Sequence, residues 1–161
     1  MARYAPPMTK IDIAKAPERK GSLYPAPFDK PCAERVRRQL GDAAGLTDFG
    51  VNLLRLAPGV WSSQRHWHDR EDEFVYVLAG EVALVTDAGE TLLKAGDCAG
   101  FPKGAADGHH LINRSAADAL VLEVGTRSED DATVYSDIDM KYDPERGYVH
   151  KDGEPYPKRG A

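Results

Sequence analysis

A chain of 161 residues, of which 42% are hydrophobic, is long enough to bury one hydrophobic core, so we expect a single domain. Its formal net charge of -5 disfavours a nucleic-acid partner, because phosphate backbones are bound by clustered cationic side chains. No apolar run approaches the length of a signal peptide or a membrane span, which predicts a cytoplasmic protein without a membrane partner. Cys32 and Cys98 are too few for a disulfide framework, and both are predicted to be buried thiols.

Residues 1–48 are predicted to form an extended N-terminal arm and a leading strand. Prolines recur through Pro31, which excludes a long helix. The stretch from Cys32 to Leu40 fits a short helix or a strand equally well, and its charged part, Glu34–Arg38, is predicted to be an exposed face. The arm has no evident core of its own, so a homodimer is expected to bury its apolar side chains, which are Ile11, Ile13, Leu23, Tyr24 and Phe28.

Residues 49–127 carry the pattern of an all-β sandwich or barrel. Short β-rich runs alternate with turns rich in glycine and proline, and these runs are FGVNLLRL, EFVYVL, EVALVT, HHLIN and ALVLEVG. Residues 128–161 are predicted to be a C-terminal extension that packs on the barrel and adds edge strands. The Asp-Gly pair at residues 152–153 indicates a hairpin in this extension.

Four of the five histidines fall into two short windows, at residues 66–68 and 109–110. His66 and His68 share one face of a strand, because successive side chains of a strand point to opposite sides. Glu73 follows His68 by an odd interval, so the acidic segment 69–72 must form a turn before Glu73 opens the next strand. Within that segment Glu71 and Asp72 are predicted to be solvated, although a role as a base beside the site stays open.

These histidines and Glu73 predict a metal centre. Neutral imidazoles with one carboxylate suit a divalent transition metal, which would be Fe, Mn, Ni, Co, Zn or Cu, whereas Mg and Ca prefer oxygen ligands alone. Four protein ligands leave one or two positions open for water or substrate. An open position of this kind is what catalysis or ligand sensing requires.

Two ordered motifs in this region resemble those of the cupin superfamily. The first, G(X)5HXH(X)3-4E(X)6G, is matched by Gly59, His66, His68, Glu73 and Gly80, with six residues rather than five after Gly59. The second, G(X)5PXG(X)2H(X)3N, is matched by Gly96, Pro102, Gly104, a histidine and Asn113, with a loop longer by two residues before the histidine. The resemblance implies an antiparallel double-stranded β-helix, or jelly-roll, barrel that holds its metal ligands inside.

The fourth ligand is predicted to be His109, with His110 as the alternative. Adjacent residues of a strand face opposite sides, so only one of the two can point into the barrel. Counting back from Asn113 in the cupin pattern HXXXN selects His109. A bulge at Gly108 would exchange the two assignments.

The resemblance does not imply one reaction, because a fold hosts many functions. We favour an isomerase or epimerase that acts on a sugar or sugar phosphate through a Lewis-acid metal. An Fe(II)-dependent dioxygenase and a non-catalytic sugar-binding module are the alternatives. Gln64, Tyr76 and Phe101 are the residues expected to line the ligand cavity.

Overall fold

The computed structural model describes residues 10–157, so the two chain ends of the predicted arm and extension, 1–9 and 158–161, lie outside the described residues. Within the described range the chain is built almost entirely from short β-strands. No helix in that range is long and apolar enough to cross a lipid bilayer.

The elements follow one another in short steps along the chain. One α-helix, α1 (Leu40–Ala43), and two 3-10 turns, Ile13–Lys15 and Lys30–Cys32, interrupt the strands. The strands are β1 (Glu18–Lys20), β2 (Val36–Gln39), β3 (Phe49–Leu56), β4 (His66–His68), β5 (Glu73–Ala79), β6 (Glu81–Thr86), β7 (Gly89–Lys94), β8 (Cys98–Phe101), β9 (His110–Ile112), β10 (Ala119–Thr126), β11 (Thr133–Tyr135), β12 (Lys141–Asp143) and β13 (Gly147–Val149).

Three antiparallel sheets make up the barrel. The largest has the strand order β1-β2-β3-β10-β5-β8, and the others have the orders β13-β12-β11-β4 and β7-β6-β9. A bridge from His66 of β4 to His109, the residue before β9, connects the second sheet to the third, and a bridge from Ile112 of β9 reaches Trp61 in the loop before β4. The all-β antiparallel barrel expected from the sequence is therefore confirmed, and the C-terminal extension contributes β11–β13 to it.

The barrel core follows the two-residue period of its strands. Along β5, Val75 and Val77 are buried while Phe74, Tyr76 and Leu78 are exposed, as the sequence predicts. The buried side chains that form the main core are Leu54, Leu56, Val60, Val75, Val77, Val82, Leu93, Leu111, Ala119 and Val121. This core fills one part of the barrel and leaves the part around Glu73 to polar side chains.

A second, smaller core joins the arm to the C-terminal extension. Its buried members are Tyr24, Cys32, Tyr135 and Met140, and Phe28 packs against them. The expectation that a homodimer buries the apolar side chains of the arm is therefore wrong for Tyr24 and Phe28, which the same chain covers. Ile13 and Leu23 stay exposed.

The stretch from Cys32 to Leu40 becomes a strand over most of its length, β2. Because β2 lies between β1 and β3, one of its faces is turned into the barrel. Arg35 is buried and Arg37 is largely buried, so the expectation that Glu34–Arg38 is an exposed face is wrong for these two residues. Cys32 is buried as predicted, but Cys98 is exposed.

Asn113 fixes the chain that leaves β9. Its side chain is fully buried, and its Nδ2 donates to the carbonyl oxygens of Leu56 at 2.7 Å and Ala117 at 2.8 Å. Its Oδ1 accepts from the backbone and the hydroxyl of Ser115. Both polar atoms of this buried amide are hydrogen-bonded, so Asn113 has a structural role.

Candidate metal centre

Two different sheets bring the predicted ligands together. His66 and His68 lie on β4, which pairs with β11 of the C-terminal extension, and their ring centroids are 4.9 Å apart. The chain then leaves strand geometry over residues 69–72, and Glu73 begins β5 on the large sheet. The predicted turn before Glu73 is confirmed, and it is what allows the carboxylate to face the two imidazoles.

One carboxylate oxygen of Glu73 is the meeting point of three imidazoles. Its Oε2 lies 2.6 Å from Nε2 of His109, 3.4 Å from Nε2 of His68 and 3.6 Å from Nε2 of His66. Donor atoms of His66, His68 and Glu73 all lie within 4.8 Å of one another. His109 joins this group through its contact with Glu73 and through a backbone bridge to His66.

His109 and His110 point in opposite directions. The ring of His109 stacks on Phe101 with centroids 3.6 Å apart and faces Glu73. The Nδ1 of His110 instead contacts the carbonyl oxygen of Ser63 at 2.8 Å, and its ring packs edge-on against another aromatic side chain, Trp61. The structure thus brings His109, and not His110, to Glu73.

The Nδ1 atoms of His66 and His68 form hydrogen bonds on the side of each ring away from Glu73. Nδ1 of His66 lies 2.8 Å from the carbonyl oxygen of Gln64, and Nδ1 of His68 lies 2.6 Å from Oδ2 of Asp131. A hydrogen on each Nδ1 satisfies these acceptors, so each Nε2 could offer its lone pair to a metal ion in place of its present hydrogen bond to Glu73. Support of this kind on the remote nitrogen is the usual pattern for histidines that bind metal.

Burial and mutual contact set the protonation of the cluster. Burial alone would raise the pKa of Glu73, but hydrogen bonds from the three histidines hold it well below its usual range. Burial lowers the pKa of His109, which favours its neutral form. For His68, burial acts downwards as well, but Glu73 and Asp131 outweigh it and raise the pKa to about 9.

The residues fit a divalent transition metal. Three ring nitrogens and one carboxylate form an N/O donor set that suits these ions, and the carboxylate is ionised. The buried Nδ1 of His109 has no hydrogen-bond partner among the described residues, so this ring is held by stacking on Phe101, by its contact with the His66 ring and by its Nε2 contact. An ion at this position would replace that contact with coordination.

A cavity of about 380 Å³ opens beside the cluster. This volume is within the range of small-molecule sites, which is roughly 300–1,000 Å³. Its wall includes His66, His68, Glu73 and His109, and it extends to Tyr24, Arg35 and Tyr148. A second cavity of about 270 Å³ shares His68, Glu73 and His109 with the first and is otherwise lined largely by apolar groups.

Of the three residues expected to line the ligand cavity, Phe101 does so, and Gln64 and Tyr76 lie elsewhere. Phe101 lines both cavities. Gln64 is buried elsewhere, where its Nε2 donates to the carbonyl oxygen of Phe28 and ties down the arm. Tyr76 is 38% exposed, because it lies on the outer face of β5 between the inward residues Val75 and Val77.

Glu71 differs from the solvated turn residue expected from its sequence position. Its side chain is 22% exposed and lines both cavities, and its Oε1 accepts from the backbone nitrogen of Ser128 at 2.7 Å. Burial raises the pKa of this carboxyl. Asp72, which precedes Glu73, is a backbone-capping residue whose Oδ1 accepts from the nitrogen of Lys103.

The chain matches a known family over the segment that contains this cluster. The sequence profile described as the Cupin domain matches residues 52–125. A crystal structure of a sugar phosphate isomerase from a cupin superfamily, from Silicibacter pomeroyi, shares 45% identity over 92% of this chain and 97% of that chain, with a TM-score of 0.87. This chain belongs to the cupin superfamily.

Two further structures extend the comparison. A protein from Acidithiobacillus ferrooxidans, provisionally described as a sugar phosphate isomerase, is 28% identical over 94% of this chain and 96% of that chain, with a TM-score of 0.75. The polyketide cyclase RemF from Streptomyces resistomycificus shares the fold at 20% identity, with a TM-score of 0.58 over 74% of this chain and 79% of that one. A search of curated proteins finds no match.

Asp131 is a supporting residue of this cupin site that the sequence does not reveal. It lies in the C-terminal extension, outside both motifs, and its Oδ1 also accepts from the backbone nitrogen of Arg70 at 2.8 Å. His68, Glu71 and Asp131 form a second acidic group within 4.8 Å. Because the short contact to Asp131 occupies Nδ1 of His68, we interpret this group as a support for the imidazole.

Asp131→Asn is expected to weaken metal binding by about 10- to 100-fold, because the amide can no longer orient the His68 ring and raise its basicity as a carboxylate does. Competition with a chromogenic chelator measures the change. Asp130→Asn is the matched control, since Asp130 is adjacent and exposed. Unchanged affinity in Asp131→Asn would show that the contact does not support the ligand.

Proposed function

We propose that this cupin is a metal-dependent isomerase of a sugar phosphate. The observation that carries the proposal is the combination of the His-Glu cluster with a polar cavity of about 380 Å³ in a chain 45% identical to a protein described as a sugar phosphate isomerase. The alignment covers 97% of that protein, so the barrel, the arm and the extension are all part of the similarity.

His66, His68, Glu73 and His109 would hold the ion. When bound, a divalent metal would supply Lewis acidity, which polarises a sugar carbonyl and makes the C–H bond of the neighbouring carbon more acidic. The chain positions the sugar against this centre with the stacked pair His109 and Phe101 on one side and Tyr135 on another, whose ring centroid lies 5.8 Å from that of His66.

Glu71 is the proton carrier in this proposal. Three carboxylates line the main cavity, but Glu73 is surrounded by histidines and Glu123 is paired with Arg37 at 2.7 Å. Glu71 is left with one oxygen that no close donor occupies, since the nearest ionisable nitrogen, Nδ1 of His68, is 3.8 Å away. In aldose–ketose isomerisation it would remove a proton from the carbon beside the carbonyl and return it to the former carbonyl carbon, while the hydroxyl proton of the first of these carbons passes to the former carbonyl oxygen.

Glu71→Gln is expected to lower turnover by at least about a hundredfold, because general base catalysis typically contributes 10²–10⁴-fold. The assay is proton NMR of metal-loaded protein in D2O with a panel of aldose and ketose phosphates, and isomerisation appears as interconversion with deuterium incorporation. Metal content should stay unchanged, and Glu129→Gln, an exposed residue, is the control.

Other outcomes of this assay would contradict the proposal. Consumption of O2 with oxidised products would identify a dioxygenase. Tight binding of a sugar without deuterium incorporation or product would identify a binding module.

A homodimer is also part of the proposal. The outer face of β5 exposes Phe74, Tyr76 and Leu78, and a contiguous apolar face of this kind favours association. Sedimentation velocity at micromolar concentration should give a dimeric mass, and Tyr76→Glu should shift it to a monomer. Leu92→Glu, which alters an exposed apolar residue on another sheet, should not. A monomeric mass for the unmodified chain would contradict the dimer.

A further inference from the structure

Arg35 is a buried cation that forms no ion pair with a carboxylate of the described residues. Arg35 is the residue immediately before β2. Its side chain turns towards the barrel interior, and the residue is only 6% exposed. Its Nε donates to the carbonyl oxygen of Gly21 at 2.9 Å, and its Nη1 donates to the carbonyl oxygen of Ser62. Among residues 10–157 no carboxylate forms an ion pair with it, so two neutral acceptors are its hydrogen-bond partners.

Arg37, two residues further along the chain, is also largely buried, but a carboxylate pairs with its charge. Its guanidinium forms a bidentate pair with Glu123, with nitrogen–oxygen distances of 2.7 and 2.8 Å. A buried charge without such a partner is costly, because the protein interior solvates ions poorly. Burial accordingly lowers the pKa of Arg35. Among residues 10–157, Arg35 donates two of its five guanidinium N–H groups, both to neutral carbonyl oxygens, whereas Arg37 donates three, two of them to a carboxylate.

Arg35 lines the same cavity as the metal cluster. Its guanidinium carbon lies 5.7 Å from the ring centroid of Tyr24, whose ring is 5.4 Å from that of Tyr135. Two consecutive residues connect it to the cluster, because Ser62 accepts from Arg35 while the hydroxyl of Ser63 contacts Nδ1 of His66 at 3.3 Å. A small ligand in the cavity can therefore face the metal cluster and the guanidinium at the same time.

We propose that Arg35 is the anion-binding residue of this cavity and holds the phosphate group of the substrate. The inference rests on the proposed function and specifies how the substrate is oriented. A guanidinium presents a planar fork of donors that matches phosphate oxygens, and a charge-assisted bond in a buried site is stronger than one at the surface. The phosphate would supply the negative charge that Arg35 lacks and direct the sugar towards His66, His68 and Glu73.

The test is calorimetric titration of the metal-loaded protein with inorganic phosphate, a sugar phosphate and the matching neutral sugar. The unmodified protein should bind the sugar phosphate more tightly than the neutral sugar. Arg35→Met should weaken phosphate and sugar phosphate by at least about tenfold and leave the neutral sugar little changed. Arg38→Met is the matched control, because Arg38 lies on the outer face of β2 and pairs with Glu18. If Arg35→Met fails to fold, Arg35→Gln retains amide donors for the two carbonyl groups.

Three results with the unmodified protein and the Arg35 variants would overturn the inference. These are no phosphate binding by the unmodified protein, full phosphate affinity in the folded Arg35 variants, and tighter binding of malonate than of phosphate, which would indicate a carboxylate ligand. An equal loss in Arg19→Met would also overturn it, because Arg19 lines the same cavity from an exposed position. If phosphate binds through Arg35 but the protein shows no isomerase turnover, the proposed function is contradicted and this inference is not. If Arg35→Gln turns over the substrate with an unchanged KM, this inference is contradicted and the proposed function is not.

Discussion

His66→Ala is expected to weaken binding of a divalent transition metal by at least about a hundredfold while the barrel stays folded. Four-ligand zinc sites bind with roughly 10–16 kcal/mol, so one ligand contributes on the order of 3 kcal/mol. The main core is independent of the site, because its buried members are aliphatic side chains from six strands and the loops between them. Loss of the imidazole therefore removes a donor and no part of that core.

Metal content after loading and desalting measures this loss, and circular dichroism with thermal melting reports on the fold. His150→Ala is the matched control, because His150 is the one histidine outside the two windows and pairs with Asp139 at 2.8 Å. A folded His66→Ala protein that retains one ion per chain would show that the ion is held elsewhere.

The second large expected effect is a difference in metal affinity between variants of two neighbouring residues, His109 and His110. His109→Gln is expected to weaken metal binding by at least about a hundredfold for the reason given for His66. His110→Gln is expected to keep nearly all of the affinity, because the His110 ring contacts Ser63 and Trp61 and lies away from Glu73. His110→Gln should instead lower the melting temperature, since a buried side chain is replaced next to Trp61.

Chelator competition on the two variants, with the same metal and buffer, decides between them. Loss of metal in His110→Gln with retention in His109→Gln would mean that the loop before β9 rearranges when the ion binds. A small and equal loss in both would place the fourth ligand outside this window.

Local pattern was sufficient to predict the strands of the barrel and the faces of β5. The alternation of Val75 and Val77 with Phe74, Tyr76 and Leu78 follows from hydrophobic period alone. The same parity, combined with the cupin resemblance, predicted which of His109 and His110 would face Glu73. These features depend on neighbours in sequence, and so they can be predicted without knowing what covers each strand.

Long-range packing explains what the sequence did not predict. Whether Arg35 faces solvent or the interior depends on the pairing of β2 between β1 and β3, and an arginine-rich run carries no sign of that pairing. Asp131 reaches His68 only because β11 pairs with β4, across 63 residues of chain. Strand parity predicts Gln64 in the cavity, but its side-chain Nε2 instead donates a hydrogen bond to the carbonyl oxygen of Phe28 in the arm.

The most direct test of the metal centre is a crystal of metal-loaded protein measured on both sides of the absorption edge of the metal. We expect one anomalous peak per chain, at about 2.0–2.3 Å from the ring nitrogens of His66, His68 and His109 and from an oxygen of Glu73. A peak at the group formed by His68, Glu71 and Asp131, or no peak at Glu73 in a crystal that contains the metal, would contradict it.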